Sequence, residues 1–280
     1  MTDLKCKLLI IGAGPGGYVC AIRAGQLGID TIVVDESKPG GTCLNVGCIP
    51  SKALIHAAEE FHRIAAANDG PLGISAAPAT IDLGKTIDWK DGIVARLNSG
   101  VAGLMKKAGA KFVEGRARFL DGKTVAVTVD GKETQIRAEH VVIASGSAPV
   151  ELPFLPFGGD ILSSTEALAL TEVPKTLAVV GGGYIGLELG TAFAKLGSKV
   201  TVVEAADRIL PTYDKALTKP VAQRLAALGV TVMTATKAEG YEGGTLMTDQ
   251  GAVEADKVLV TVGRRPRTQG IGVEELALTL

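Results

Sequence analysis

The sequence predicts an α/β fold with two parallel sheets in succession, each flanked by helices and each carrying a small antiparallel meander. Three observations predict it. Residues 12–35 (GAGPGGYVCAIRAGQLGIDTIVVD) recur in pattern at residues 181–204 (GGGYIGLELGTAFAKLGSKVTVVE), with Gly-x-Gly-x-x-Gly, a Leu-Gly pair and a closing acid at the same offsets. Each copy follows an apolar run, residues 8–11 and 177–180, and ends its Val-rich second run on the acid, Asp35 or Glu204. Each half then closes on another apolar run, read as a buried strand ending in glycine, residues 141–146 and 258–263, with alternating, turn-rich sequence before it. A strand, glycine loop, helix, strand and acid found twice in register is the pattern of a dinucleotide-binding βαβ unit, so both halves read as Rossmann-like.

The elements follow in chain order. Residues 8–11 open the first sheet as a buried strand. Gly12 permits a tight turn, Gly14 lets the backbone approach a pyrophosphate, and Gly17 lets helix and strand pack closely. The helix start beyond them supplies unsatisfied N–H groups and the positive end of the helix dipole. Asp35 is placed to accept from a ribose hydroxyl; a helix–strand turn without ligand is the alternative. Between Cys48 and Lys107, two helical patterns flank a Gly/Pro/Ala-rich loop at 68–79, and the second, 89–107, carries Ile93, Leu97, Val101 and Leu104 on one face. Asp121-Gly122 and Asp130-Gly131 mark hairpins of the first meander, Gly243-Gly244 and Gln250-Gly251 those of the second. The Pro-rich stretch 149–156 reads as the connection between halves. This places one domain at 1–150, a second at 151–270, and the start of a return segment at 271–280.

Residues 40–52 (GGTCLNVGCIPSK) carry the distinctive chemistry. Cys43 and Cys48 are five apart. On an ideal helix that step rises about 7.5 Å and turns about 140°, which separates the Cα atoms by roughly 8–9 Å, beyond the usual disulfide reach of about 7 Å. A bridge therefore requires the chain to kink, which Gly47 permits. Such a bridge stores strain and is easily reduced. Two thiols on an unbroken helix are the alternative.

Composition narrows the class. A chain of 280 residues with 46% hydrophobic content and net charge −1 suits an α/β protein of about two domains. The charge gives no support to a nucleic-acid or anionic-membrane partner, and no apolar run reaches the length of a membrane span. Residues 1–7 are polar and too short for a signal peptide. The expectation is a cytoplasmic, reducing compartment, where a disulfide is catalytic more often than structural. Cys6 and Cys20 read as small buried or edge residues. His56, His62 and His140 fall in no metal-ligand or triad spacing, so no metal is expected.

The run 40–52 resembles the redox-disulfide signature of the flavin-dependent pyridine nucleotide-disulfide oxidoreductases, and among them is most similar to the dihydrolipoamide dehydrogenases. The resemblance extends from the first glycine loop to Gly263-Arg264-Arg265-Pro266. It implies FAD at the first loop, held by Gly12, Gly14, Gly17, Asp35, Gly41, Thr42, Lys52, Gly115, Ser145 and Gly146. It implies NAD at the second, held by Gly181, Gly183, Tyr184, Gly186, Glu204 and Gly263. The family usually has the longer Glu where Asp35 stands. A carboxylate at 204 accepts from a free ribose 2′-hydroxyl and repels a 2′-phosphate, which selects NAD over NADP; Arg208, four residues on, is the cation that could argue otherwise.

The resemblance further implies that Cys43 is the interchange thiol toward substrate and Cys48 the thiol beside the flavin. It pairs Lys52 with Glu188 at the flavin ring, as a buried ion pair linking the two dinucleotide domains. Tyr184 would cover the nicotinamide pocket, or else serve as a packing aromatic. The implied reaction oxidises dihydrolipoamide to lipoamide, two electrons passing through Cys43–Cys48 and FAD to NAD⁺. The implied setting is a homodimer acting on the lipoyl domain of a 2-oxo acid dehydrogenase complex. Glutathione- or mercuric-reductase-like chemistry, and a nucleotide-binding piece without turnover, are the alternatives. The family's Gly-Asp segment and its C-terminal dimerisation domain with a His–Glu pair are not found in the sequence. The expectation is a truncated chain, inactive alone and weak in FAD binding.

Overall fold

The computed structural model describes residues 3–67, 70, 73–75, 77–129, 131–276 and 278. It begins with β1 (Leu4–Ile11), α1 (Pro15–Gln26), β2 (Thr31–Asp35), α2 (Gly41–Val46), α3 (Cys48–Ala65) and α4 (Leu83–Lys107). There follow β3 (Lys111–Glu114), β4 (Arg116–Phe119), β5 (Thr124–Val129), β6 (Lys132–Ile143), β7 (Ser147–Pro149), β8 (Ile161–Leu162) and α5 (Ser164–Ala167). Then come β9 (Thr176–Val180), α6 (Tyr184–Lys195), β10 (Lys199–Val203), α7 (Lys215–Ala227) and β11 (Thr231–Met233). The chain continues through β12 (Ala238–Glu242), β13 (Thr245–Thr248), β14 (Gly251–Glu254), β15 (Lys257–Val260), β16 (Arg264–Pro266) and a 3-10 turn at Val273–Leu276.

Two compact units form. The first comprises Met1–Ile49, Gly92–Ala148 and Arg265–Leu280; the second comprises Pro50–Asp91 and Pro149–Arg264. The segment Pro50–Asp91 joins the second because Leu54, Ala58, Leu83 and Ile87 bury in one core with Leu187, Leu189 and Phe193.

The first unit holds a six-stranded sheet in the order β3-β2-β1-β6-β5-β4. Its first four strands run parallel and its last three antiparallel, so β6 belongs to both parts. The expected meander is therefore a continuation of the parallel sheet, made possible by the 12-residue length of β6. Alternate residues of β1 and β2 face opposite cores, Leu9, Ile11, Ile32 and Val34 into one and Ile10 and Val33 into the other. Fully burying such a side chain contributes about 1.5–3 kcal/mol. Asp121-Gly122 turns β4 into β5. Asp130 of the second hairpin lies outside the described residues, as do residues 68, 69, 71, 72 and 76 of the loop at 68–79.

Two expectations need correction here. The run 141–143 is only partly buried, and Ile143 is exposed. A cavity of about 530 Å³, lined by Phe119, Val141, Ile143, Leu276 and Leu278, borders it. On α4, Leu97 and Leu104 are exposed and Met105 is buried. The inward stripe runs through Asn98, Val101, Ala102 and Met105, one position round from the apolar face, because Asn98 turns in to hydrogen-bond the Pro39 carbonyl and the Asn45 side chain.

The second unit holds an all-parallel five-stranded sheet, β11-β10-β9-β15-β8. All of β9 is buried, as expected of a strand covered on both faces. A separate antiparallel sheet, β12-β13-β14, turns at Gly243-Gly244 and Gln250-Gly251. It buries Leu246 and Val253 against Val180, Val258 and Val260.

Candidate active site

The two glycine loops share one backbone. Gly12 has φ +103° and Gly181 φ +104°, and a side chain at either would strike the carbonyl at the end of the neighbouring strand, that of Ala144 or Thr261. A Cβ on Gly17 would overlap the Gly12 carbonyl oxygen, and one on Gly186 would lie 2.5 Å from that of Gly181. The third glycine thus lets each helix sit on its strand. Gly14 and Gly183 are the extended N-caps of α1 and α6, and neither supplies a side-chain cap. A Cβ on Gly183 would meet no protein atom within 4 Å, and one on Gly14 would meet Gly41 alone, at 3.7 Å. That free approach to uncapped N–H groups is what a pyrophosphate requires, so the residues present fit a dinucleotide at each loop.

Each acid stitches its strand to its loop. Asp35 Oδ2 accepts from the Ala13 N–H at 2.7 Å, and Oδ1 accepts from the Ser37 N–H and hydroxyl. Glu204 Oε2 accepts from the Gly182 N–H at 2.6 Å, and Oε1 from the Ala206 N–H at 2.7 Å. The shorter Asp makes the same stitch as Glu. Asp35 Oδ2 and both Glu204 oxygens, with one donor each, keep acceptor capacity for a ribose hydroxyl.

Around the second loop lies a cavity of about 840 Å³, within the range of about 300–1,000 Å³ typical of small-molecule sites. Gly181, Gly183, Tyr184, Glu204 and Gly263 line it; Gly186 faces inward instead, against Gly181 and Val179. Tyr184 is 58% exposed at the first turn of α6. The loop 205–213, of which the sequence singled out Arg208 alone, adds Leu210, Pro211 and Tyr213 to the lining. Arg208 donates to the Pro211 and Tyr213 carbonyls at 2.6 and 2.8 Å.

Around the first loop the cavity is smaller, about 190 Å³, so it can take only one end of a dinucleotide. Gly12, Asp35, Gly115 and Ser145 line it, with Glu36, Arg116, Arg267 and Gln269. Gly115 is pinned by its N–H to the Asp35 carbonyl at 2.7 Å. The Ser145 hydroxyl donates to the Arg267 carbonyl at 2.7 Å, the Gly146 carbonyl accepts from the Arg267 N–H at 2.9 Å, and the Arg267 guanidinium pairs with Glu36. Nothing in the spacing of Glu36 and Arg267, 231 residues apart, foretold that clasp.

The cysteines stand on two helices. α2 ends at Val46, Gly47 breaks the backbone with φ −140° and ψ −110°, and α3 begins at Cys48. A Cβ on Gly47 would lie 2.8 Å from the Thr42 carbonyl oxygen, so glycine is needed for this tight kink. Cys43 is half-buried and Cys48 exposed. Gly41, with φ +59°, presses α2 against Gly14 of the glycine loop, and the Gly40 N–H donates to the Ala13 carbonyl at 2.8 Å. Thr42 follows Gly41 in the first turn of α2. Asn45 donates to the Lys38 carbonyl at 3.1 Å and holds the helix to the preceding loop.

Lys52 Nζ lies 2.7 Å from both oxygens of Glu188. The pair forms, but not as expected. Both residues belong to the second unit, and their side chains are 60% and 37% exposed. Buried ion pairs need compensating hydrogen bonds; this one keeps its water and contributes about 0–1 kcal/mol to folding.

The remaining candidates are quieter. Burial raises the Cys6 thiol to about 11, which keeps it protonated and unreactive at neutral pH. The His56 ring packs tilted beside Trp89, centroids 6.3 Å apart. Among the described residues, no group of three or more His, Cys, Asp and Glu is placed to hold a metal, and no helix is long and apolar enough to cross a membrane.

Comparison with known proteins fits this geometry. The family model for pyridine nucleotide-disulphide oxidoreductases matches residues 6–280. A dihydrolipoyl dehydrogenase of Pseudomonas aeruginosa is 57% identical over 284 aligned residues, covering 99% of this chain and 61% of its own length. The chain thus spans about three-fifths of that relative. LpdA of Mycobacterium tuberculosis superposes with a TM-score of 0.87 at 26% identity, over 98% of this chain and 62% of its own. The HOCl-induced flavoprotein disulfide reductase RclA of Escherichia coli gives 0.84 at 27%, over 98% and 60%. The cofactors that this family implies are FAD and NAD, and the paired glycine loops fit both. A chain with two such loops, the Cys43/Cys48 kink and a match from residue 6 to residue 280 belongs to the pyridine nucleotide-disulphide oxidoreductases.

Proposed function

We propose that this chain supplies the dithiol and the nucleotide-binding part of an enzyme that oxidises dihydrolipoamide to lipoamide and delivers the two electrons to NAD⁺, the dithiol's two hydrogens leaving as one hydride equivalent and one H⁺. The observation that carries the proposal is the kink at Gly47, which sets Cys43 and Cys48 on successive helices with Gly41 packed on the pyrophosphate loop. The 57% identity to a dihydrolipoyl dehydrogenase supports this substrate over the others of the family.

FAD, when bound, would supply the two-electron relay between dithiol and NAD⁺. The roles of the protein groups are those that the family resemblance implies. Residues of 1–150 would hold FAD, those of 151–270 NAD, with 271–280 returning to the first. Gly12, Gly14, Gly17 and Asp35 would hold the adenosine diphosphate end, and Gly115, Ser145 and Gly146 would line it. Gly41 and Thr42 would face the flavin side, with Lys52 and Glu188 orienting one another beside it. A substrate thiolate would attack Cys43 of the oxidised pair and release Cys48 as the thiolate beside the flavin; the substrate's second thiol would then displace Cys43, closing lipoamide and leaving the pair reduced. Gly181, Gly183, Gly186 and Glu204 would hold NAD, and Tyr184 would cover its nicotinamide end. A lipoyl domain of a 2-oxo acid dehydrogenase complex, a homodimer and the cytoplasm complete the setting.

The test is absorbance at the NADH band when purified protein, loaded with FAD, is mixed with dihydrolipoamide and NAD⁺. Growth of that band supports the proposal. Turnover of glutathione disulfide or Hg²⁺ with NADPH instead would move it to another branch of the family. Nucleotide binding without any turnover would reduce it to a binding role.

A further inference from the structure

The backbone of Leu210 is the irregularity that the reading so far does not use. It has φ +50°, a left-handed conformation that non-glycine residues adopt at a cost. Strain of this kind persists only where the surroundings enforce it. Four contacts enforce it here. The Leu210 N–H donates to the Gly182 carbonyl of the second glycine loop at 3.0 Å. The Leu210 carbonyl accepts from the Tyr213 N–H at 3.0 Å. The Arg208 guanidinium donates to the Pro211 and Tyr213 carbonyls, closing the loop on itself. Ile209 is buried, with its Cγ2 3.0 Å from where a Gly182 Cβ would be. The product is a strap, residues 208–213, whose Leu210, Pro211, Thr212 and Tyr213 wall the 840 Å³ cavity beside Glu204.

We infer that Arg208 is a positioning residue for the nucleotide cavity: it spends its guanidinium on the strap's own carbonyls, holds Leu210 in its left-handed turn and so sets the wall against which the nucleotide lies. Charged donors make strong hydrogen bonds, and the planar fork holds two carbonyls in a fixed geometry that lysine's rotatable ammonium does not impose. An arginine committed in this way is not a receptor for a 2′-phosphate. The inference rests on the reading of this cavity as the NAD site.

The test is NADH and NADPH binding by fluorescence titration, with amide hydrogen exchange of residues 208–214 in the nucleotide-free protein. Arg208→Met is expected to weaken both nucleotides by the same factor, roughly tenfold, and Arg208→Lys by an intermediate one. Exchange at Leu210 and Tyr213 should quicken in Arg208→Met. In a Leu210→Gly background, where the left-handed turn carries no strain, Arg208→Met should cost less than about threefold. Weakening of NADPH alone would make Arg208 a phosphate receptor and overturn the inference. Unchanged affinity, in a protein that binds NADH, would overturn it and leave the NAD reading standing. If the unaltered protein binds no NADH, the NAD reading fails; unchanged exchange in Arg208→Met would then overturn the brace as well.

Discussion

Gly14 and Gly41 meet backbone to backbone: a Cβ on Gly41 would overlap the Gly14 Cα, although the two residues belong to different elements and serve different chemistry. One is the second glycine of the pyrophosphate loop, the other the first residue of the cysteine helix. Gly41→Ala combines that overlap with a left-handed φ of +59°. It should lower folding stability by more than about 2 kcal/mol and weaken FAD retention. Denaturant unfolding and flavin retention on gel filtration measure the two effects, and a loss under about 0.5 kcal/mol would show that loop and helix can part without cost.

Glu204 bears on cofactor choice and on loop stability together. Glu204→Ala removes the charge that repels a 2′-phosphate, so the preference for NADH over NADPH should fall by about tenfold or more. The same change leaves the Gly182 and Ala206 N–H groups without their acceptor, at about 1–3 kcal/mol. Glu204→Gln keeps one acceptor oxygen and should recover part of the stability while still relaxing the preference. Paired titrations and thermal unfolding decide it; unaltered preference in both variants would remove Glu204 from cofactor selection.

Cys48 is exposed and Cys43 half-buried. If Cys48 lies against the flavin, saturating FAD should slow its alkylation in the reduced protein by about tenfold or more and leave Cys43 within about twofold. Cys6, raised to about 11, should resist labelling throughout. Mass spectrometry of the labelled peptides reads all three. Shielding of Cys43 rather than Cys48 would exchange the proposed roles.

Glu59 accepts a hydrogen bond from the largely buried Lys195, and that bond holds its carboxyl below the ordinary 4.5. A carboxylate with a lowered folded-state pKa adds stability above 4.5 that is lost as pH falls through the lower value. Glu59→Gln should therefore be less stable than the unaltered protein at pH 7 and converge with it as the pH falls below 4.5 and through the lowered value. Thermal midpoints across that range check it, and parallel curves would show that the pair is not linked to folding.

The repeated frame was legible because its causes are local. Glycine spacing, strand hydrophobicity and a closing acid act within about twenty-five residues, and the two loops have φ values at the first glycine within a degree of each other. The kink between the cysteines was legible for the same reason, since five residues cannot bridge on a straight helix. What the sequence concealed depends on distant partners. Asn98 faces inward on α4 because its amide bonds the Pro39 carbonyl and the Asn45 side chain. β6 extended the parallel sheet into the meander because its first half, 132–137, pairs with β5 while 136–143 pairs with β1. The Arg267–Glu36 clasp and the strap at 208–213 join groups whose meeting no periodicity encodes. Lys52 and Glu188 were named correctly as a pair, but their exposure followed from packing that the two residues do not set.

The bond from each acid to the second residue of its own loop has an evolutionary and engineering consequence. Asp35 and Glu204 are at once the feature a ribose would sense and a fastener of the chain that must sense it. Selectivity and rigidity are therefore not separate dials. Any lineage, natural or designed, that exchanges one of these acids to admit a different nucleotide must acquire a replacement fastener in the same step or soon after. The route to a new cofactor runs through compensating change at Ser37, Ala206 or the loop itself before it runs through contacts with the ligand.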